Sequence, residues 1–325
     1  MSAVKFGLFL LPNTIKEATD AAIKAESQGF YSVSVNDHFY SPLGDAHSPQ
    51  LECFTALTAM AMVTKTIQLV PAVIAASFRT PALLGKITSS LDLACEGRFI
   101  CGLGAGWQGT EYKAHDYPFP KLQDRLDQLD ETIQILKAMW TEESPAFKGK
   151  HFEVYDAFNN PRPVQQPHPP IMLGGSGTGL LKIAAREANV LNIIPPTSNG
   201  KDFVNDQAAT VKFTMDVLKE RIALLHQFMR DQGRDPKEIE LGGLALLGLS
   251  ADKKDPALAA MGTNLGFPDY GTAQGAPVAL LGTPAEVINT IERRLEETGI
   301  SYYIMLAASA ETQEMFVSEV MPYFN

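Results

Sequence analysis

Runs of apolar residues alternate with stretches of helical period along almost the whole of the 325-residue chain, the pattern of βα units wrapped around a parallel sheet. The first unit shows the grammar. VKFGLFL (4–10) reads as a strand, Thr14 and Glu17 form a capping box, and Ile15, Ala18, Ala22 and Ala25 share one helix face until Gly29 ends it. Near the other end Thr283, Pro284 and Glu286 open a helix carrying Val287, Ile291 and Leu295, Gly299 stops it, and SYYIMLA (301–307) comes next as a strand. Strand-like runs at 31–35, 67–74, 98–103, 170–174, 190–194 and 240–248 bring the total to eight. Eight strands with intervening helices predict a (β/α)8 TIM barrel. A doubly wound open sheet has the same alternation, because a count of strands does not show closure.

Two intervals interrupt the rhythm. Residues 108–169 are too many for a plain loop, and within them Leu122, Leu126, Leu129, Ile133, Leu136 and Trp140 step by threes and fours as one buried helix stripe. FKGKHFEV then alternates around Gly149, and Pro161, Pro163, Pro167, Pro169 and Pro170 hold the backbone extended. Residues 250–282, rich in Gly, Ala and Asp, read as a second loop excursion. Both are read as insertions in a single domain covering 1–325.

Composition narrows the function classes. Apolar residues make up 45% and charged residues 20%, the balance of a globular protein with a large core. The 27 basic and 37 acidic residues leave a formal charge of -10, which repels nucleic acid and an anionic membrane surface. The opening MSAVKFGLFLLP has an apolar run too short to span a bilayer, so the expectation is a cytoplasmic protein that starts with a strand. Cys53, Cys95 and Cys101 share no C-x-x-C spacing and read as structural thiols. No H-x-H or H-E-x-x-H pattern occurs, and His47, His115, His151, His168 and His226 are scattered singly, so no metal centre is expected.

In such a barrel the residues just past the strands' C-terminal ends converge on one mouth, where chemistry is done. Strand one ends at Pro12-Asn13, strand two at Asn36-Asp37-His38, strand three at Ala75-Ala76-Ser77, strand four at Gly104-Ala105-Gly106-Trp107, strand five at Gly174-Gly175-Ser176-Gly177 and strand six at Pro195. Asp37 and His38 pair an acid with an imidazole able to give or take a proton near neutral pH; the alternative is a turn-capping Asp and a pocket-filling His. The small residues 174–177 precede an amphipathic helix, so they present free N–H groups and a helix N-terminus to an anion, unless the turn needs glycine only for its dihedral angles. GLGAGW (102–107) has the wrong spacing for a dinucleotide fingerprint. Its glycines let a flat ligand lie on the mouth, with Trp107 and Tyr112 as walls, or else relieve crowding at a strand end.

Together these residues resemble the luciferase-like monooxygenase superfamily, the barrel flavoproteins that include the deazaflavin F420-dependent reductases and dehydrogenases. The matching stretches are VSVNDHF, SFRTPALLGKITSSLDLACEGRFICGLGAGWQGTEYKAH, RLDQLDETIQILKAMW, FKGKHFEV, PRPVQQPHPPIMLGGSGTGLLKIAAREAN and LLGTPAEVINTIERRLEETGISYY. The resemblance implies a flavin or deazaflavin across the mouth, with its phosphate at Gly174, Gly175, Ser176 and Gly177. It makes Asp37 the acid near the ring and His38 the catalytic histidine, and it gives Ala75, Ala105, Gly106 and Thr110 cofactor-lining places. Asn13, Phe39, Trp107 and Tyr112 fall on the substrate side. The family often has a non-prolyl cis peptide in strand three under the ring; its counterpart is Ala72-Val73. One departure matters: the sugar-phosphate dehydrogenases of this family have a glutamate acting as base where this chain has Trp107, and an indole cannot accept a proton. An apolar or aromatic substrate is the expectation.

FMN can pass electrons to O₂, whereas a 5-deazaflavin is a two-electron hydride carrier, and the Asp-His pair favours the latter. The expected function is an F420-dependent oxidoreductase that moves hydride between the deazaflavin and a small, largely apolar organic molecule, with His38 handling the proton. The alternatives are an FMN-dependent two-component monooxygenase served by a separate flavin reductase, and a flavin-binding protein without turnover. The resemblance also implies a homodimer. Substrate identity is left to the loops 39–50, 107–120, 195–206 and 262–282, which vary without altering the fold.

Overall fold

Among the described residues twelve strands succeed one another: β1 (Lys5–Phe9), β2 (Ser32–Val35), β3 (Gln68–Pro71), β4 (Ile74–Ala75), β5 (Cys101–Gly104), β6 (Phe147–Lys148), β7 (Glu153–Val154), β8 (Ile171–Gly174), β9 (Val190–Ile193), β10 (Glu240–Leu249), β11 (Ala279–Gly282) and β12 (Ile300–Ala307). They belong to a computed structural model that describes residues 4–42, 45–196 and 206–324. All but the hairpin β6–β7 join one sheet in the order β3-β2-β1-β12-β10-β9-β8-β5-β4, with β11 beside β10. β3 and β4 are two halves of one stave, separated by the cis Ala72–Val73 peptide. β4 pairs with β5, and a parallel bridge joins Leu69 to Phe99 just ahead of β5. The two ends of the path are therefore the same stave. The sheet closes, and the fold is a (β/α)8 TIM barrel, not an open doubly wound sheet.

The helices obey the local signals. In α1 (Ile15–Ser27) the Thr14 hydroxyl accepts the Glu17 N–H, and Ala18, Ala22 and Ala25 form the buried face. α2 (Cys53–Val63) and α3 (Pro81–Ala94) come next, and then a short α4 (Gly109–Ala114). The 20-residue α5 (Leu122–Thr141) packs between α3 and α6 (Thr178–Glu187) in the outer ring. It therefore serves as a barrel helix, and the excursion proper begins beyond its C-terminus. Glu131 on α5 ties that excursion down by accepting the N–H groups of Lys150, His151 and Phe152 at 2.7, 3.0 and 2.9 Å. α7 (Gln207–Lys212) and α8 (Met215–Asp231) lead to β10.

The interval 250–282 holds more than a loop: α9 (Pro256–Asn264), α10 (Tyr270–Gly275) and β11 lie within it. Besides its pairing with β12, β10 is long enough to serve two further neighbours, β9 over Glu240–Gly243 and β11 over Leu246–Leu249. The run ALLG of β11 is four residues in an Ala- and Gly-rich tract, too short for periodicity to reveal. α11 (Pro284–Thr298) then carries both halves of the Thr283–Glu286 capping box and ends at Gly299 with φ +75°.

Inside the barrel Phe9, Val70, Ile100, Met172, Val190, Tyr302 and Ile304 pack into one cluster, and the Ser32 and Tyr302 hydroxyls meet at 2.6 Å. A larger cluster fills the space between sheet and helices. No helix among the described residues is long and apolar enough to cross a membrane.

Candidate active site

β2 leaves the core at Asn36, and Asp37 and His38 follow at the turn with different partners. The His38 Nδ1 atom lies 2.8 Å from Glu111 Oε2, while the other oxygen of Glu111 accepts the N–H of Phe39. The Glu111 side chain is fully buried, and that of His38 is 14% exposed. A carboxylate that already accepts one N–H through one oxygen is matched by an Nδ1–H at the other, which fixes the imidazole tautomer and leaves Nε2 as its proton acceptor. The ring edge of His38 meets Trp107 at 5.4 Å between centroids and 69° between planes.

Asp37 faces elsewhere. Its carboxylate accepts both guanidinium nitrogens of Arg79 at 2.7 and 3.0 Å and the Ala75 N–H at 3.1 Å. Arg79 reaches on to Glu52 at 2.8 Å and covers the Phe54 ring. Burial pushes the Asp37 carboxyl upward and the Arg79 contacts pull it down, while burial works against Arg79's charge and Asp37 outweighs it, holding the guanidinium above its usual range. The bidentate geometry decides for a charged pair. Asp37 thus anchors the backbone of Ala75 on strand three.

The strand ends around the cis Ala72–Val73 bond are shaped by close approach. A Cβ on Gly104 would stand 2.7 Å from Val73 Cγ2, one on Gly174 2.9 Å from Val73 Cγ1, and one on Gly102 1.9 Å from the Pro71 carbonyl oxygen. These three glycines leave room for Val73 and the Pro71 carbonyl, so crowding accounts for them. Gly106, at φ +74°, would drive a Cβ to 1.9 Å from the Tyr112 hydroxyl. Tyr112 is 1% exposed, bonded to Ser77 at 2.6 Å and packed on Phe78 and Phe119. It lies under the mouth as a support for Gly106 where the sequence suggested a wall. Ala105 is half-buried and Thr110 exposed, with the Thr110 hydroxyl 3.2 Å from that of Tyr40. Phe39 stacks on His115 at 4.2 Å. Asn13 donates both its backbone N–H and its amide to Glu17 Oε2 and lines, with Asn36, a small cavity between the ends of β1 and β2.

On the other side of the mouth, Gly175 at φ +142° donates its N–H to Asn192 O at 3.0 Å. The Ser176 hydroxyl donates inward to Ile194 O at 2.6 Å. Gly177 is the N-cap of α6 and has no side chain to cap it, and a Cβ there would meet nothing within 4 Å. Arg221 of α8 sits over this helix start, 3.5 Å from the Thr178 hydroxyl. Uncapped N–H groups, open space and a guanidinium suit an anion. Of the substrate loop expected at 195–206, residues 197–205 lie outside the described residues.

The family model of luciferase-like monooxygenases matches residues 4–278. The chain belongs to that family. One relative, an F420-dependent glucose-6-phosphate dehydrogenase of Kineococcus radiotolerans, is 32% identical over 51% of this chain and 49% of its own length. Another, an FMNH(2)-dependent dimethylsulfone monooxygenase of Pseudomonas putida, is 28% identical over 50% of this chain and 44% of its own. This chain thus spans about half the length of each. An F420-dependent secondary alcohol dehydrogenase, solved in complex with an F420-acetone adduct, shares the fold at a TM-score of 0.80 and 20% identity, covering 99% of both chains.

Within the luciferase-like framework three side chains stand out that the strand ends alone do not reveal: Glu111, Arg79 and Arg221. Glu111 lies 73 positions from His38, and Arg79 lies 42 from Asp37, so only the barrel brings them together. The dipeptide Glu111-Tyr112 opening a short helix after the fourth strand was the available signal. Away from the mouth, Asp124, Asp127 and His151 cluster closely enough to hold a metal ion, but the Lys150 ammonium stands between the two carboxylates at 2.9 and 3.1 Å.

Proposed function

We propose that the protein is an F420-dependent oxidoreductase that transfers hydride between the deazaflavin and a small, largely apolar organic substrate, with His38 moving the proton. The observation that carries this reading is the His38–Glu111 contact at the mouth: an imidazole with one nitrogen fixed by a buried carboxylate is held ready to give or take a proton at the other.

The chain offers the cofactor a fitting cradle. Gly177, the uncapped start of α6 and Arg221 suit its phosphate, and Val73, set between Gly104 and Gly174, would supply a surface for the ring. A bound deazaflavin supplies a two-electron hydride carrier. His38 would then deliver a proton from Nε2 to a carbonyl oxygen as the adjoining carbon gains hydride, or take one at Nε2 from a hydroxyl as the carbon that bears it gives up hydride. Glu111 keeps the imidazole in the tautomer that this requires. Trp107 packs edge-to-face with His38 and cannot itself take a proton. Its indole is the reason a glucose-6-phosphate substrate is not carried over from the dehydrogenase relatives.

The test uses purified protein titrated with F420 and followed by fluorescence, then assayed for hydride transfer over a panel of small alcohols and ketones. His38→Ala is expected to keep F420 binding and lose turnover; full activity in that variant overturns the assignment. The likeness to an FMNH(2)-dependent monooxygenase carries the second reading, FMN chemistry with a separate flavin reductase. Oxygen consumption with reduced FMN and no response to F420 decides for it. A homodimer in a cytoplasmic setting completes the proposal, checked by molar mass in light scattering and by cell fractionation.

A further inference from the structure

One carboxylate clasps the end of strand three at two points. Asp37 Oδ2 accepts the Ala75 N–H at 3.1 Å and Arg79 Nη1 at 2.7 Å, and Oδ1 accepts Arg79 Nη2 at 3.0 Å. The segment 75–79 is thus held at both its ends from the tip of β2. Its middle touches two other parts of the mouth. The Ser77 hydroxyl lies 2.6 Å from that of Tyr112, the support of Gly106, and the Phe78 ring lies 4.9 Å from that of Phe39, the neighbour of His38. The guanidinium is committed on every side. Nη2 also donates to Glu52 Oε1 at 2.8 Å, while Glu52 Oε2 accepts the Thr55 N–H at the start of α2. The guanidinium covers Phe54, and the Arg79 side chain is 14% exposed. Charge shows what it contributes. Without it Asp37, 5% exposed, is left beside Glu52 with no cation to match, and burial favours the protonated acid, in which one oxygen has turned from acceptor to donor.

We propose that Arg79 is a positioning residue for the cofactor: through the Asp37 carboxylate it fixes the Ala75 N–H, and with it the strand-three surface from Val73 to Ala75 on which the ring lies. The inference rests on the oxidoreductase reading for the identity of the cofactor, and on the clasp alone for the fixing of strand three. Asp37 then serves the cofactor through the backbone of a neighbouring strand. Arg79 itself touches neither ring, phosphate nor substrate, because its donors are already taken by Asp37 and Glu52.

The experiment follows two readouts on the full chain: F420 affinity by fluorescence titration, and hydrogen exchange of the Ala75 amide by NMR on the unloaded protein. Arg79→Met is expected to bind F420 about tenfold more weakly and to exchange the Ala75 amide about tenfold faster. Arg79→Lys keeps the charge without the fork and should recover part of both; it carries both readouts if Arg79→Met does not fold. Adding Asp37→Asn to Arg79→Met removes the stranded charge, so affinity should return to about that of Asp37→Asn alone. Glu26→Gln is the control, because Glu26 holds residues 65–67 at the opposite end of the same stave and its loss should leave both readouts at wild-type values. Either readout unchanged in Arg79→Met, or in Arg79→Lys where that variant stands in, overturns the proposal. So do equal losses in Glu26→Gln, which reduce the ion pair to general stability, and additive losses in the double variant, which put Arg79 on the cofactor directly. If wild type binds no F420 the parent reading fails, and the Ala75 exchange rates still decide whether Arg79 fixes strand three.

Discussion

One carboxylate, Glu111, fixes both the ring of His38 and the peptide just after it: Oε2 lies 2.8 Å from Nδ1, and its other oxygen accepts the Phe39 N–H. The turn at the end of β2 is thereby tied to the start of α4, and side-chain orientation and backbone path are set by the same group.

Glu111→Gln tests that tie. An amide has one acceptor oxygen for two N–H donors and turns its own NH₂ against one of them, so one buried donor goes unmatched. Turnover is expected to fall by on the order of 10–100-fold, with F420 affinity changed little, and stability by about 1–3 kcal/mol. Steady-state kinetics with a pH–rate profile, set beside a denaturant titration, separates the two effects. A variant that loses only stability would reduce Glu111 to a packing role.

Two glycines at the mouth are expected to behave oppositely. Gly177→Ala places its Cβ in open space at an ordinary φ of -66°, so its melting temperature should match wild type while cofactor affinity drops about tenfold through blocked approach to the α6 N-terminus. Gly102→Ala meets the Pro71 carbonyl at 1.9 Å and should cost about 3 kcal/mol of stability. Thermal melts and cofactor titrations on both variants check the contrast.

Acid should weaken the fold through Glu26. Its carboxylate accepts the N–H groups of Lys65, Thr66 and Ile67 at 2.7, 2.6 and 3.0 Å. Although burial acts the other way, these bonds bring its pKa down from 4.5 to about 2. A depressed folded-state pKa contributes stability that is complete above about 4.5 and lost as pH falls towards about 2. Glu26→Gln is expected to be less stable than wild type at pH 7 by on the order of 1 kcal/mol after solvent screening, with the gap closing by pH about 2. Urea titrations of both proteins across that window measure it.

The three cysteines should be silent towards thiol reagents in the native state. Cys53, Cys95 and Cys101 are buried and free, and burial pushes the Cys95 thiol up to about 11 and raises the other two above the usual thiol range, so little thiolate exists near neutral pH. Titration with a chromogenic disulfide is expected to find no fast thiol in native protein and three in denaturant.

How much of this could be read beforehand depends on the range of the interaction. Strands, the Thr283–Glu286 capping box and the Asn36-Asp37-His38 turn are local, so hydrophobic period and short-range capping revealed them, whereas only half of the Thr14–Glu17 box forms, because Glu17 accepts from Asn13 instead of from the Thr14 N–H. Glu111 and Arg79 are partners across 73 and 42 positions, and nothing local in a carboxylate or a guanidinium states whom it will meet. Tyr112 shows the same limit for aromatics: the residue type fits a pocket wall and a buried support equally, and only packing separates them. β11 escaped because four apolar residues do not make a period.

Val73 reaches between Gly104 and Gly174, within 2.7 and 2.9 Å of where their Cβ atoms would be. Positions 73, 104 and 174 therefore vary as one unit: a side chain gained at either glycine is tolerated only with a smaller residue at 73. In a library randomised at all three, a residue with γ-carbons at 73 should survive only beside glycine at 104 and 174, whereas alanine at 73, whose Cβ would stand 3.9 and 3.8 Å from theirs, should admit alanine at either.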